Sequence, residues 1–219
     1  MKRIQLISKT ARQSIVAVLL LFVLLAGCGD KIKGTFYLSE KAKMYTIDTT
    51  ITSFTMIDDV GITEDFVMDR HTWYTQHHYF NNWGVDGDAK GEVFGIAFNS
   101  TINNYFFTYV LRADETFSTL EIEWVQKDMF TLNLDSEKII SGKNAHISFL
   151  DSLQVNQKTY KNVIMVDYRH MSGETHNKTP VVSYFSAHYG LIKLIRKDGI
   201  VSTRLYEELP TGQDQSKNH

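Results

Sequence analysis

From Thr49 to Tyr206, short runs rich in Val, Ile, Thr, Tyr and Phe alternate with turn residues, and this rhythm constrains the fold more than any other feature. Runs of that composition, bounded by Gly, Asn or Asp at intervals of about 8 to 12 residues, are the pattern of antiparallel β structure. The clearest hairpin runs from Tyr189 to Tyr206, where LIKLIR and IVSTRLY flank Lys197-Asp198-Gly199. Asp-Gly supplies the positive φ angles that a tight turn demands. A second hairpin turns at Asn156-Gln157-Lys158 into TYKNVIMVDYRH. There Tyr160, Val163, Met165 and Asp167 keep no single parity, so a bulge or a strand buried on both faces is expected. Further candidates are TTITSFTMI turning at Asp58 to Gly61 into ITEDFVMD, then VFGIAFN, YFFTYVLR, TLEIEWVQ, MFTLNL, AHISFLDS and VVSYFSAHY. The expected fold is all-β, with about ten strands in one antiparallel meander, curved into a partly or fully closed barrel so that its edges are hidden. A two-sheet β-sandwich is the alternative.

The N-terminus carries a different signal. Lys2, Arg3, Lys9 and Arg12 precede the apolar run Ile15 to Leu25, with no acid before Asp30. A basic region feeding an apolar run shorter than the roughly 20 residues needed to span a bilayer is a secretion signal. The run ends in Leu25-Ala26-Gly27-Cys28, which resembles the lipobox of bacterial lipoproteins, and Cys28 is the only cysteine. The resemblance implies cleavage before Cys28, a thioether to diacylglycerol on its sulfur, and an acyl chain such as palmitate on its new amino group. Each buried methylene contributes about 0.8 kcal/mol, so two or three chains hold a protein on a membrane. Gly29 stands where Asp would favour inner-membrane retention in the enteric type, so the expected location is the bacterial envelope, at the outer membrane. With Cys28 modified, no thiol remains for a disulfide, and the fold must stand on its core.

The expected organisation is a lipoprotein signal peptide at 1–27, a lipidated Cys and tether at 28–44, a single β domain at 45–209 and a flexible tail at 210–219. Four of the 23 Lys and Arg lie before Cys28, so the mature chain carries 19 against 25 Asp and Glu, a net charge of -6. An acidic chain lacks the basic footprint that nucleic acid requires. Lys31, Lys33, Lys41 and Lys43 are assigned to the tether beside lipid headgroups.

The C-terminal half, VNQKTYKNVIMV (155–166) followed by YFSAHYGLIKLIRKDG (184–199), resembles the ending of small, uncharacterised β-rich lipoproteins of Gram-negative bacteria. In these a Tyr-Lys-Asn-Val strand precedes Tyr-Gly-(Leu/Ile)-(Ile/Val)-(Lys/Arg). The resemblance covers about the last third of the chain and implies fold and location, with no activity attached.

The densest cluster of chemistry-bearing side chains is RHTWYTQHHYFNNW, from Arg70 to Trp83. Its aromatics Trp73, Tyr74, Tyr79 and Trp83 could stack on sugar faces, or simply plug the end of a barrel. Its imidazoles His71, His77 and His78 are weak candidates for zinc, because a site would need distant ligands such as His170, Glu174 or His176, and no HExxH helix is present. On a strand His71 and His77 would share a face; in a long loop all three would be plain surface imidazoles. The acidic loop Asp86 to Glu92 lacks the spacing of a calcium loop. Glu121 and Glu123 read as charges on one exposed strand face. Asp48-Thr49-Thr50 and Asp151-Ser152-Leu153 look like short O-glycosylation acceptors. No Gly-x-Ser-x-Gly elbow, Ser-x-x-Lys pair or phosphate loop occurs, so no catalytic residue and no cofactor is assigned. The expectation is a non-catalytic binding module for an envelope protein or a glycan, held to the membrane by its N-terminal lipid. One alternative is a carrier of a lipid or other apolar ligand in a barrel mouth lined by Phe94, Phe98, Phe106 and Met165. The other is a metal-dependent hydrolase built on the histidines.

Overall fold

A computed structural model describes residues 34–78, 89–124, 130–142, 145–169 and 177–205. They form thirteen strands and one short helix: β1 Gly34–Phe36, α1 Glu40–Met44, β2 Ser53–Asp58, β3 Thr63–His78, β4 Ala89–Ser100, β5 Phe106–Ala113 and β6 Ser118–Trp124. Completing the set are β7 Phe130–Asn133, β8 Lys138–Ser141, β9 His146–Val155, β10 Lys158–Asp167, β11 Pro180–Ser186, β12 Gly190–Arg196 and β13 Val201–Arg204. Two compact units divide the chain; one holds His77–Lys90 and the chain up to Gly34, the other Thr35–Gln76 and Gly91 onward. Apart from Gly34, His77, His78, Ala89 and Lys90, every residue of these strands and of the helix lies in the second, larger unit.

The fold is all-β, as the sequence pattern requires. All thirteen strands belong to one antiparallel sheet of order β8-β7-β6-β5-β4-β3-β2-β13-β12-β11-β10-β9, with β1 added against β4. Every neighbour in that order is also a neighbour in sequence except one pair: β13 lies beside β2, with Ser202 opposite Asp58 and Arg204 opposite Met56. The first and last strands of the meander therefore meet, while β8 and β9, consecutive in sequence, are the two ends of the ladder, and hydrogen bonds do not close it.

Strand β5 shows why the sheet has a dry face. Phe107, Tyr109, Leu111 and Ala113 are buried, and the residues alternating with them are partly exposed. The buried rings reach across to distant strands: Phe107 and Tyr109 lie 5.9 and 5.8 Å from Phe185 of β11. The same dry face takes in the N-terminal segment. Leu38, Ala42, Tyr45, Ile47 and Ile51 are all buried in its core, and the Tyr109 hydroxyl donates to the Tyr45 carbonyl at 2.8 Å. Ser39 caps α1 by accepting from the Ala42 N–H, and its own N–H donates to Ser118 Oγ at 2.9 Å. The domain thus takes in much of the segment expected to be a tether. Lys41, assigned to that tether, pairs with Glu137 at 2.6 Å and lies over the Phe149 ring of β9.

Strand β10 is buried on both faces, one of the two expected explanations for its broken parity. Asn162 has φ +50°. On either side of it, Tyr160 and Val163 pack in a small second core with Val155 and Ile192, while Ile164 and Val166 join the main one. A left-handed residue shifts the alternation by one, which Asn tolerates better than most residues. Four strand segments go beyond the sequence expectation: β1, β8, the start of β4 from Ala89 to Glu92, read as part of an acidic loop, and the extension of β3 through His78, where Arg70 to Tyr74 are all exposed and so carry no burial rhythm.

Gly190 sits at φ +69°, and a Cβ there would lie 2.8 Å from Ile47 Cδ1; Gly199 at φ +89° has open space around it. The left-handed conformation alone costs an alanine about 1–2 kcal/mol. In urea denaturation, Gly190→Ala is expected to lose more stability than Gly199→Ala, because only the first also displaces Ile47.

Burial raises the phenol pKa of Tyr105 to about 12 and pushes those of Tyr109 and Tyr168 further up. The folded state therefore holds protons that the unfolded chain releases near pH 10, so stability is full below pH 10 and falls as pH rises beyond it. Denaturation midpoints measured from pH 9 to 11.5 should decline, and Tyr109→Phe should flatten the decline.

Candidate binding groove

Strand β3 changes parity along its length. Phe66 is buried in the main core with Met68 packed against it. Past Asp69 the order inverts: His71 and Trp73 approach the core ring Phe94 at 6.0 and 5.4 Å, while Arg70, Thr72 and Tyr74 line a groove on the opposite face. Two consecutive outward residues, Asp69 and Arg70, account for the inversion as a local bulge of the strand. Asp69 accepts from Asn99 Nδ2 at 3.3 Å.

The groove has a volume of about 230 Å³ and is built from three strands. Strand β5 contributes Thr108, Val110 and Arg112, and β4 forms the floor with Val93, Gly95 and Ala97. Pairing sets Val93 opposite Arg112, Gly95 opposite Val110 and Ala97 opposite Thr108. On the other side Thr72 Oγ1 lies 3.5 Å from the Gly95 carbonyl oxygen. Alternation then gives three rungs: Arg70–Ala97–Thr108, Thr72–Gly95–Val110 and Tyr74–Val93–Arg112. The depth comes from the floor. A Cβ on Gly95 would stand 2.9 Å from Thr72 Oγ1, and a Gly inside a strand commonly marks such a close approach.

Charge is unevenly placed around the groove. Arg112 Nε donates to Glu121 Oε2 of β6 at 2.9 Å, so Glu121, expected as a plain solubility charge, is an ion-pair partner. Trp73 is fixed from two sides: its indole N–H donates to Glu92 Oε1 at 2.7 Å, and its ring stands edge-on to Phe94. The other Glu92 oxygen accepts the Leu38 N–H at 2.9 Å.

The sequence candidates are therefore divided rather than assembled. Trp73 and Tyr74, expected to share one aromatic platform, point to opposite faces because successive strand residues must. Tyr79 and Trp83 lie outside the described residues, as do Cys28, His170, Glu174, His176 and Asp86 to Asp88. His77 and His78 belong to β3, but their side chains lie outside the described part of the structure, and no cluster of three metal-ligating residues exists among the described residues. Of the four residues named for an apolar cavity, Phe94 and Phe98 are packed in the main core, whereas Phe106 and Met165 are only half-buried and not among its members. Arg70, Arg112, Thr72 and Thr108 were not singled out from sequence; Gly95 inside VFGIAFN was the available signal.

The chain matches no family model, no curated protein and no solved structure.

Glu92→Ala removes both the partner of the Trp73 indole and the acceptor for the Leu38 N–H. A buried donor left without its partner costs about 1–3 kcal/mol, so a loss of that size is expected in urea denaturation. Glu92→Gln, which keeps an acceptor oxygen, should lose less.

Proposed function

We propose that this chain is a lipid-anchored protein of the bacterial envelope, held at the outer membrane through Cys28, whose β domain is a non-catalytic module that binds a glycan in the β3–β4–β5 groove. The observation that carries the binding role is the pairing of a small-residue floor with a rim of mixed chemistry. Gly95, Ala97 and Val93 open a depression, and Tyr74, 46% exposed, presents a ring beside it. Arg70, Thr72, Thr108 and the Arg112–Glu121 pair surround it with donors and acceptors. Sugars offer an apolar ring face and a fringe of hydroxyls, which an aromatic ring and planar charged groups satisfy together. Pockets for drug-sized ligands run to about 300–1,000 Å³, so a groove of about 230 Å³ suits one or two sugar rings of a longer chain. The anchor rests on the basic and apolar leader ending in Leu25-Ala26-Gly27-Cys28.

Both halves have direct tests. The full chain, purified in detergent micelles, is applied to a panel of immobilised neutral and acidic oligosaccharides. Binding to at least one of them, weakened about tenfold or more in Tyr74→Ala, is the expected result, a factor equal to about 1.4 kcal/mol. A panel with no bound member, or a Tyr74→Ala chain that binds unchanged, overturns the glycan reading. For the anchor, Cys28→Ser should abolish incorporation of labelled palmitate and leave the leader uncut, read as a chain heavier by residues 1–27.

A further inference from the structure

We infer that the glycan taken by the β3–β4–β5 groove is acidic, carrying one carboxylate that Arg70 reads, while the opposite corner reads hydroxyls; this rests on the glycan reading above. The argument is the asymmetry between the two arginines. Arg70 and Arg112 both line the groove, and the three rungs set them at diagonal corners. With about 3.4 Å per residue along a strand and about 4.8 Å between strands, their Cα atoms lie about 17 Å apart.

The corners differ in charge. At the Arg112 corner Glu121 stands 2.9 Å from the guanidinium, whereas Glu123 of the same strand lies opposite Thr108, at the end of the Arg70 rung and three strands away from Arg70. A carboxylate entering there would meet Glu121 as well as the arginine, and like charges at that range repel. A guanidinium and a carboxylate side by side instead offer donors and acceptors to neutral hydroxyls, beside the Tyr74 ring on the same rung.

At the other corner Arg70 is exposed and, among the described residues, has neither an ion-pair nor a hydrogen-bond partner. The nearest acid in sequence, Asp69, accepts from Asn99 rather than from Arg70. An unengaged guanidinium over the small residue Ala97, with Thr108 across the groove, has its fork open to a carboxylate, which it binds through two parallel N–H···O bonds. Charge thus orients the chain: acid group at Arg70, hydroxyls at Arg112.

The test uses the full chain in detergent micelles and trimers of galacturonate, glucuronate and mannuronate, each beside its carboxyl-reduced form. The expected result is that at least one acidic trimer binds about tenfold or more tightly than its reduced form, with the preference shrinking as salt is raised. Arg70→Gln should abolish that preference, so that acidic and reduced forms bind alike, and Arg70→Lys should restore part of it. Arg112→Gln should weaken acidic and reduced forms alike. Reduced forms that bind as well as acidic ones, or a preference that survives Arg70→Gln, overturn the acidic reading and leave glycan binding standing. If none of the six trimers binds, the acidic reading falls, and the neutral members of the wider panel decide the glycan reading by themselves.

Discussion

The structure depends on the burial of its own N-terminal segment against the dry face of the sheet. An antiparallel sheet can leave one face in water, but the other must be covered, and among the described residues no second layer of helices exists to do so. Leu38, Ala42, Tyr45, Ile47 and Ile51 supply part of the cover, each of the larger aliphatic side chains contributing about 1.5–3 kcal/mol when taken fully from water. The backbone of this segment carries polar groups that must also be satisfied. Tyr109 does so for Tyr45, Ser118 for Ser39 and Glu92 for Leu38. Through Lys41 the helix touches both Glu137, just before β8, and Phe149 of β9. A single side chain thus reaches from the turn that precedes β8 to β9, near the two ends of the ladder.

The groove depends on a second constraint, the inversion of β3 near Asp69. With unbroken alternation from Phe66 and Met68, the side chains of Arg70, Thr72 and Tyr74 would point into the core and those of His71 and Trp73 to the outer face. The bulge exchanges the two sets. It sends two polar side chains and a tyrosine to the outer face and leaves Trp73 to be held by Phe94 and Glu92. Fold and site are thus linked through one irregularity, and Gly95 on the neighbouring strand gives the exposed set its depth.

The sequence carried the strand rhythm well, because burial on one face writes a period of two into strands such as β5, and the Asp198-Gly199 turn is a chemical necessity. The break in β10 was visible as conflicting parity, although its agent, Asn162, was not identifiable without the backbone angle. Elsewhere the signal failed for physical reasons. From Arg70 to Tyr74 every side chain is exposed, so no alternation marked the strand, and the aromatics read as one cluster when they belong to two faces. Arg112 and Glu121 meet across neighbouring strands, a pairing set by register rather than by local sequence. Between Lys33 and Lys43 the lysines are conspicuous in the sequence, whereas Leu38 and Ala42, which lie in the core, carry no period that marks them.

The topology also governs the order in which the molecule can assemble. Two runs of sequence-local hairpins, β2 to β8 and β9 to β13, each form by contacts between near neighbours, which is the fast kind of folding. They are joined at β2 and β13, the one pairing that must close a loop spanning nearly the whole domain, at an entropy cost that grows with the logarithm of its length. A chain that emerges from its N-terminus presents β2 early and its partner last. Until β13 arrives, β2 has an open edge, and open edges recruit other strands. Synthesis from the N-terminus thus sets the window in which an unpaired β2 is most exposed to misassembly, and the closing strand ends that window.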